Sequence, residues 1–313
     1  MIINILLLIV GFVLLIKGAD KFVEGASKVA TMLSIPQIVI GLTIVAFGTS
    51  APEAAVSIAS SYKDSAGIAI GNIIGSNIAN ILLILGVSGT IGALAVKKNT
   101  LFIETPFVLL ITAVLMYLGL KGGEISQFDG IILWVLFIAF LFYLYILTKK
   151  GDEDAVDDVP ELQEDDRLWK LILMIIFGIA CVVLGSQIAV DAASAIAKAM
   201  GVSDRIIGLT IVSIGTSLPE LVTSVSASLK GKNDIAIGNI IGSNIFNILF
   251  VLGTAALVAP SGIPFASGFI VDGIIAFGAV IMFMLFIGKN MKLRKVGAFV
   301  MLLSYVSYLV YIL

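Results

Sequence analysis

The chain has no histidine and one cysteine, Cys181, in 313 residues. Without histidine the imidazole ligands that suit zinc and copper are missing, and so are an HExxH hydrolase site and an imidazole general base. A lone cysteine in an apolar run excludes an intramolecular disulfide and is expected to be a buried small hydrophobe. Charge is scarce as well: 13% of residues are charged against 59% hydrophobic, with a net charge of −2 and a mean hydropathy of +1.14. Water could not cover so much apolar surface, which excludes an ordinary soluble protein, and no basic footprint for nucleic acid is present.

What the chain has instead is a series of apolar runs, each long enough to cross about 30 Å of hydrocarbon as helix. They predict ten spans, near 2–17, 37–60, 67–91, 100–119, 129–148, 168–188, 205–227, 234–258, 264–287 and 294–313. Continuous apolar blocks do not fit a membrane barrel, so the expected class is an all-α integral membrane protein. The first run lacks a basic n-region and a small-residue cleavage site and is expected to stay as a helix. With both termini outside, the cytoplasmic loops hold Lys17, Lys21, Lys28, Lys97, Lys98, Lys149, Lys150, Arg167, Lys170, Lys230, Lys232, Lys289, Lys292, Arg294 and Lys295, and the outer loops only Lys63, Lys121, Lys198 and Arg205. That imbalance predicts this orientation. Trp134, Trp169, Tyr305 and Tyr311 fit interface anchors or packing residues.

The sequence is written twice. From Gly41/Gly208 to Gly86/Gly253 one offset of 167 applies without a gap, and 29 of 46 positions are identical. Each predicted half, 1–148 and 168–313, holds an odd number of spans, so the second must enter the membrane from the opposite side, giving two inverted five-helix repeats. Between them lies 149–167, KKGDEDAVDDVPELQEDDR. It lacks the glycine and ligand spacing of an EF-hand loop and reads as a solvated linker.

Inside the repeated blocks stand GTSAPE, from Gly48, and GTSLPE, from Gly215. Proline removes one helical hydrogen bond, so Pro52 frees the carbonyl of Gly48 and Pro219 that of Gly215. Ser50-x-x-Glu53 and Ser217-x-x-Glu220 have the form of a capping box, which predicts a break near each glycine and a second half-helix after it. Carbonyls freed at membrane depth must meet protein, water or an ion. An ionisable group at that depth costs at least a few kcal/mol, and two copies of it point to function rather than to a mere cap. In GNIIGSNIAN the residues Asn72, Ser76 and Asn80 share one helix face, and Asn239, Ser243 and Asn247 repeat it. Gly71 with Gly75, and Gly238 with Gly242, form small-xxx-small pairs that let the ligand helix approach the broken one. Every donor is an oxygen, which implies hard cations, and two carboxylates match one Ca²⁺. Emptied, the pair would repel, so it takes up Na⁺ or H⁺ or resists exposure change, which is the logic of an exchanger.

GTSAPE with GNIIGSNIAN, and GTSLPE with GNIIGSNIFN, resemble the α1 and α2 repeats of the cation/Ca²⁺ antiporter superfamily, in particular prokaryotic Na⁺/Ca²⁺ exchangers. The resemblance implies alternating access to a central diamond of Glu53, Asn80, Glu220 and Asn247. It implies Ca²⁺ held by Glu53, Glu220 and the carbonyls of Thr49 and Thr216. It implies Na⁺ held by these with Ser50, Ser76, Ser217, Ser243 and the carbonyls of Ala46 and Ser213. It further implies a prokaryotic inner-membrane location, function as a monomer, Ca²⁺ and Na⁺ as transported ions with no cofactor, and no enzymatic activity. K⁺-dependent relatives carry aspartate where Asn247 stands, so K⁺ independence is expected. The large regulatory loop of animal exchangers is missing. A Ca²⁺/H⁺ exchanger is the alternative within transporters, although its relatives often place an acid where Asn80 and Asn247 stand. A cation channel would favour a symmetric oligomer with a continuous pore. Glu104 and Asp272 occupy corresponding places near spans four and nine, either at an interface or on an ion path.

Overall fold

The computed structural model describes residues 2–62, 67–150, 162–163, 165–201 and 213–312. Helix α1 (Ile2–Met32) runs unbroken for 31 residues, well past the expected end near 17. The charged stretch stays helical because Ala19, Phe22, Val23, Ala26, Val29 and Ala30 keep the helical spacing and are buried. On the polar side Glu24 takes Lys21 at 3.1 Å and Lys28 at 3.4 Å, the i,i+3 and i,i+4 pairs that support a helix. Lys17, Lys21 and Lys28 therefore sit on a helix and not in a loop.

The first half continues with α2 (Gln37–Thr49) and α3 (Ala51–Tyr62), bent by 53° at their junction, then α4 (Gly67–Ile91), α5 (Thr100–Gly122) and α6 (Gln127–Lys150). The second half repeats the order: α7 (Leu168–Ala199), which runs past the expected 188, α8 (Ser213–Thr216), α9 (Leu218–Leu229), α10 (Asn233–Val258), α11 (Gly268–Phe286) and α12 (Lys295–Ile312). Among the described residues eight helices are long and apolar enough to span a membrane, nine with the bent pair α2–α3. The expected span 205–227 falls partly on residues 202–212, outside the described residues, as does most of the linker 149–167.

Two helices form the centre. The most apolar stretch of α10 is 94% buried and that of α4 72%, against 22% for α1, and Ser76, Asn77 and Asn80 on α4 and Asn239, Ser243, Asn244 and Asn247 on α10 are buried with them. Their isoleucines, including Ile70, Ile73, Ile78, Ile240, Ile241 and Ile245, make the main core. Gly238 and Gly242 bring α10 against α2 as expected: a Cβ on Gly242 would stand 2.7 Å from Leu42 Cα. The surface that Gly71 and Gly75 would meet by the same symmetry, around 205–209, lies outside the described residues. Helices α1 and α7 cross equally closely, since a Cβ on Gly18 would stand 2.7 Å from Cys181 Cβ and 2.9 Å from the Gly178 carbonyl. Cys181 is only partly buried on this seam, so the expected full burial is not seen.

Among the described residues the fold is helical but for two short antiparallel ladders that hydropathy did not announce. Strand β1 (Leu94–Ala95), β2 (Glu124–Ile125), β3 (Ile263–Pro264) and β4 (Lys292–Leu293) pair as β1 with β4 and β2 with β3. They clip the turn before α5 to the turn before α12, and the turn before α6 to the loop before α11. Beside the first clip, Lys97 Nζ and Asp234 Oδ2 form a buried ion pair at 2.8 Å.

Candidate functional site

Both breaks fall at a serine. Helix α2 ends at Thr49, Ser50 takes φ −82° and ψ 8°, and α3 starts at Ala51. Ser217, at φ −88° and ψ 4°, stands in the same way between α8 and α9. Proline is tolerated in the first turn of the new helix, where its missing N–H is no loss. The breaks therefore lie two residues beyond Gly48 and Gly215. The predicted capping boxes do not form: Ser217 makes no side-chain cap, and Ser50 Oγ donates across the repeat to Glu220 Oε1 at 2.8 Å. Nor does the freed Gly215 carbonyl wait for a cation, because the Ser186 hydroxyl on α7 donates to it at 2.8 Å. The corresponding residue on α1 is Ala19, which has no hydroxyl to offer Gly48.

Glu53 and Glu220 are each 1% exposed. Asn72 Nδ2 donates to Ser57 Oγ at 2.9 Å and to the Glu53 carbonyl at 3.4 Å. Asn239 Nδ2 donates to Ser224 Oγ and the Glu220 carbonyl at the same two distances, and Asn239 Oδ1 accepts from the Thr49 hydroxyl at 2.9 Å. These two asparagines of the predicted polar stripe thus tether the glutamate-bearing half-helices. Asn80 and Asn247 lie in π-helical stretches, Ala79–Ile84 and Asn247–Leu252, a widening of the helix that often marks functional sites. Asn80 Nδ2 donates to Asn244 Oδ1 at 2.9 Å, and Asn247 Nδ2 to Asn77 Oδ1 at 3.1 Å.

Once these bonds are made, a set of acceptors is left over. Among the described residues Glu53 Oε1 and Oε2, Glu220 Oε2, Asn80 Oδ1, Asn247 Oδ1, Ser217 Oγ and Ser243 Oγ are buried with no hydrogen-bond partner. A buried polar group without a partner costs about 1–3 kcal/mol, more if charged. All are hard oxygen donors and two groups are carboxylates, so the set fits Ca²⁺ or Na⁺. Ala46, Thr49, Ser50 and Ser76 are buried in the same segments, and Ser213 and Thr216 bound the short helix before the second break. Sequence reasoning missed Asn77, Asn244, Ser57, Ser224 and Ser186. The 167-residue offset, which links Asn77 to Asn244 and Ser57 to Ser224, was the available signal.

Glu104 and Asp272 are each tied to a tyrosine on the following helix. The Tyr143 hydroxyl donates to Glu104 Oε1, and the Tyr308 hydroxyl to Asp272 Oδ1 at 3.1 Å. Neither acid joins the hydrogen bonds found around the two glutamates. Trp134 is a packing residue, edge-on to Phe137 and Phe250, and Tyr305 is buried, while Trp169 and Tyr311 are exposed as interface anchors would be.

A family model described as sodium/calcium exchanger protein matches the chain in two stretches, residues 3–146 and 170–313. The sodium/calcium exchanger MaX1 of Methanosarcina acetivorans is 33% identical over 98% of each chain. The inner membrane protein YrbG of Escherichia coli is 37% identical over 84% of this chain and 82% of its own length. Among solved structures, the sodium-calcium exchanger NCX_Mj soaked with zero Na⁺ and Ca²⁺ matches with a TM-score of 0.85 at 32% identity, covering 100% of this chain and 99% of that one.

Proposed function

The chain belongs to the sodium/calcium exchanger family, and on that premise we propose that it exchanges Na⁺ for Ca²⁺ across the membrane by alternating access, without a requirement for K⁺. The observation that carries this reading is the set of buried, unpartnered oxygens on two carboxylates, two carboxamides and two hydroxyls. Glu53 and Glu220, with the carbonyls of Thr49 and Thr216, hold Ca²⁺, whose charge their own two balance. The same groups together with Ser50, Ser76, Ser217 and Ser243 and the carbonyls of Ala46 and Ser213 serve Na⁺, and Asn80 and Asn247 complete the centre. Loaded with ions the oxygens are satisfied; emptied, two carboxylates share a dry interior, which opposes a change of exposure without cargo.

The architecture behind this mechanism is ten spans in two inverted repeats, 1–148 and 168–313, joined by the linker 149–167. The strand ladders support it. With ten crossings, β1 and β4 fall on one side of the membrane and β2 and β3 on the other, so both ladders join turns on the same side. If the span near 205–227 did not cross, each ladder would have to reach through the bilayer. The protein works as a monomer in a prokaryotic inner membrane with both termini outside.

Uptake of ⁴⁵Ca²⁺ into proteoliposomes under outward Na⁺, K⁺ or H⁺ gradients in turn tests the reading. Uptake driven by Na⁺ alone is expected. Uptake driven by H⁺ and indifferent to Na⁺ would replace this reading with a Ca²⁺/H⁺ exchanger.

A further inference from the structure

The amides of Asn80 and Asn247 could each sit in two orientations of nearly equal shape, one presenting an oxygen to the ion site and the other two N–H donors. A cation tolerates only the first. The choice between them is made by neighbours outside the ligand set. Asn77 Nδ2 donates to the Asn244 carbonyl at 3.2 Å, and Asn244 Nδ2 donates to the Asn77 carbonyl at 3.3 Å. These reciprocal bonds across the two halves fix both amides and leave each Oδ1 facing a ligand amide from the other half. Asn77 Oδ1 then takes the Nδ2 of Asn247, and Asn244 Oδ1 takes the Nδ2 of Asn80. Flipping Asn80 or Asn247 would set oxygen against oxygen in a site where all four residues are 5% exposed or less, a loss that low dielectric magnifies.

We propose that Asn77 and Asn244 are positioning residues that lock the Asn80 and Asn247 carboxamides with their oxygens toward the transported cation. The proposal rests on the exchanger reading for the identity of the cation, but the amide orientation itself does not depend on it. Asn77 and Asn247 belong to different halves, whereas Asn77 and Asn80 are neighbours on one helix. A merely structural role for Asn77 would therefore couple it to Asn80 at least as strongly as to Asn247.

The test is a set of four double-mutant cycles on the full chain, read as Ca²⁺ affinity by calorimetry in nanodiscs. Asn77→Ala is expected to weaken Ca²⁺ roughly tenfold, about the effect of one lost hydrogen bond. In an Asn247→Ala background the same change should have at most about a twofold effect, while in an Asn80→Ala background its full effect should persist. Asn244→Ala should show the mirror pattern, coupled to Asn80 and independent of Asn247. Additive losses in every pair, or coupling of Asn77 to Asn80 alone, would overturn the proposal. Side-chain amide exchange by NMR in ion-free wild-type protein needs no variant to fold: slow exchange at Asn80 and Asn247 is expected, and fast exchange at both refutes the lock. If the wild type binds no Ca²⁺, the exchanger reading fails instead, and the exchange rates still decide the orientation.

Discussion

Replacing Glu53 with glutamine changes almost no volume and removes one of two formal negative charges at a site that is 1% exposed. Among the described residues neither Glu53 side-chain oxygen has a hydrogen-bond donor, so no described structural bond is lost, and the effect falls on the ion. Two unit charges about 4 Å apart interact by about 4 kcal/mol at an effective dielectric constant near 20, and a divalent cation doubles this to about 8. Part of that gain is returned, because the carboxylate no longer has to be held charged in a dry site. A net loss of at least about 4 kcal/mol remains, or roughly a thousandfold in Ca²⁺ affinity. Na⁺ carries half the charge, so its gross loss is about 4 kcal/mol before the same return, and Glu53→Gln weakens Ca²⁺ far more than Na⁺. Glu220→Gln behaves alike, with a further small loss from the Ser50 hydroxyl bonded to Glu220 Oε1. Calorimetry with each ion, beside ⁴⁵Ca²⁺ flux in proteoliposomes, checks both magnitudes. A Glu53→Gln protein that folds and binds Ca²⁺ within tenfold of wild type would refute the central-site assignment.

In a chain freed of Cys181, single cysteines at the termini and at Lys121 should react with an impermeant reagent in intact cells and one at Asp154 should not; labelling at 154 would sink the topology. Na⁺-driven Ca²⁺ flux should be unchanged when K⁺ is replaced by choline at fixed membrane potential, because in the proposed site two carboxylates would already balance Ca²⁺ and Asn247 would add no charge; a several-fold loss refutes that count. Gly18→Ala drives a Cβ to within 2.7 Å of Cys181 Cβ at the α1–α7 crossing and should cost about 1–3 kcal/mol, seen as a lowered melting temperature. Lys97→Ala leaves the buried Asp234 carboxylate without its 2.8 Å ion pair and should cost about 3–5 kcal/mol, with Lys97→Met combined with Asp234→Leu recovering most of it. Equal melting of Lys97→Ala and wild type would show that the pair contributes nothing.

Much of the site is legible because its chemistry is expensive. A proline and an acid persist in an apolar run only if something repays them, so Pro52–Glu53 and Pro219–Glu220 announce themselves. The internal repeat then supplies a second reading of each residue, which is how Asn80 and Asn247 are found together. What escapes is decided by partners far apart in sequence. Ser50 looks like a cap for its own helix, since the pattern Ser-x-x-Glu is satisfied locally, yet its hydroxyl goes to a carboxylate 170 residues away. Hydropathy ends α1 at Lys17 because a window average counts charges and does not see that Lys21 and Lys28 both reach Glu24. The two-residue ladders are too short to leave any alternating pattern. Asn77 shows the limit most clearly. It stands one position off the stripe of Asn72, Ser76 and Asn80, so a reading by helix face sends it away from the site. The bonds that give it meaning run to Asn244 and Asn247 in the other half, and the helix widens into a π-helical stretch at Ala79, just where a face drawn from 3.6-residue periodicity stops being true. A repeat offset therefore locates such residues better than a helical wheel does: Asn77 and Asn244, identical at both ends of the offset and on two strongly buried helices, find their partners in the other half.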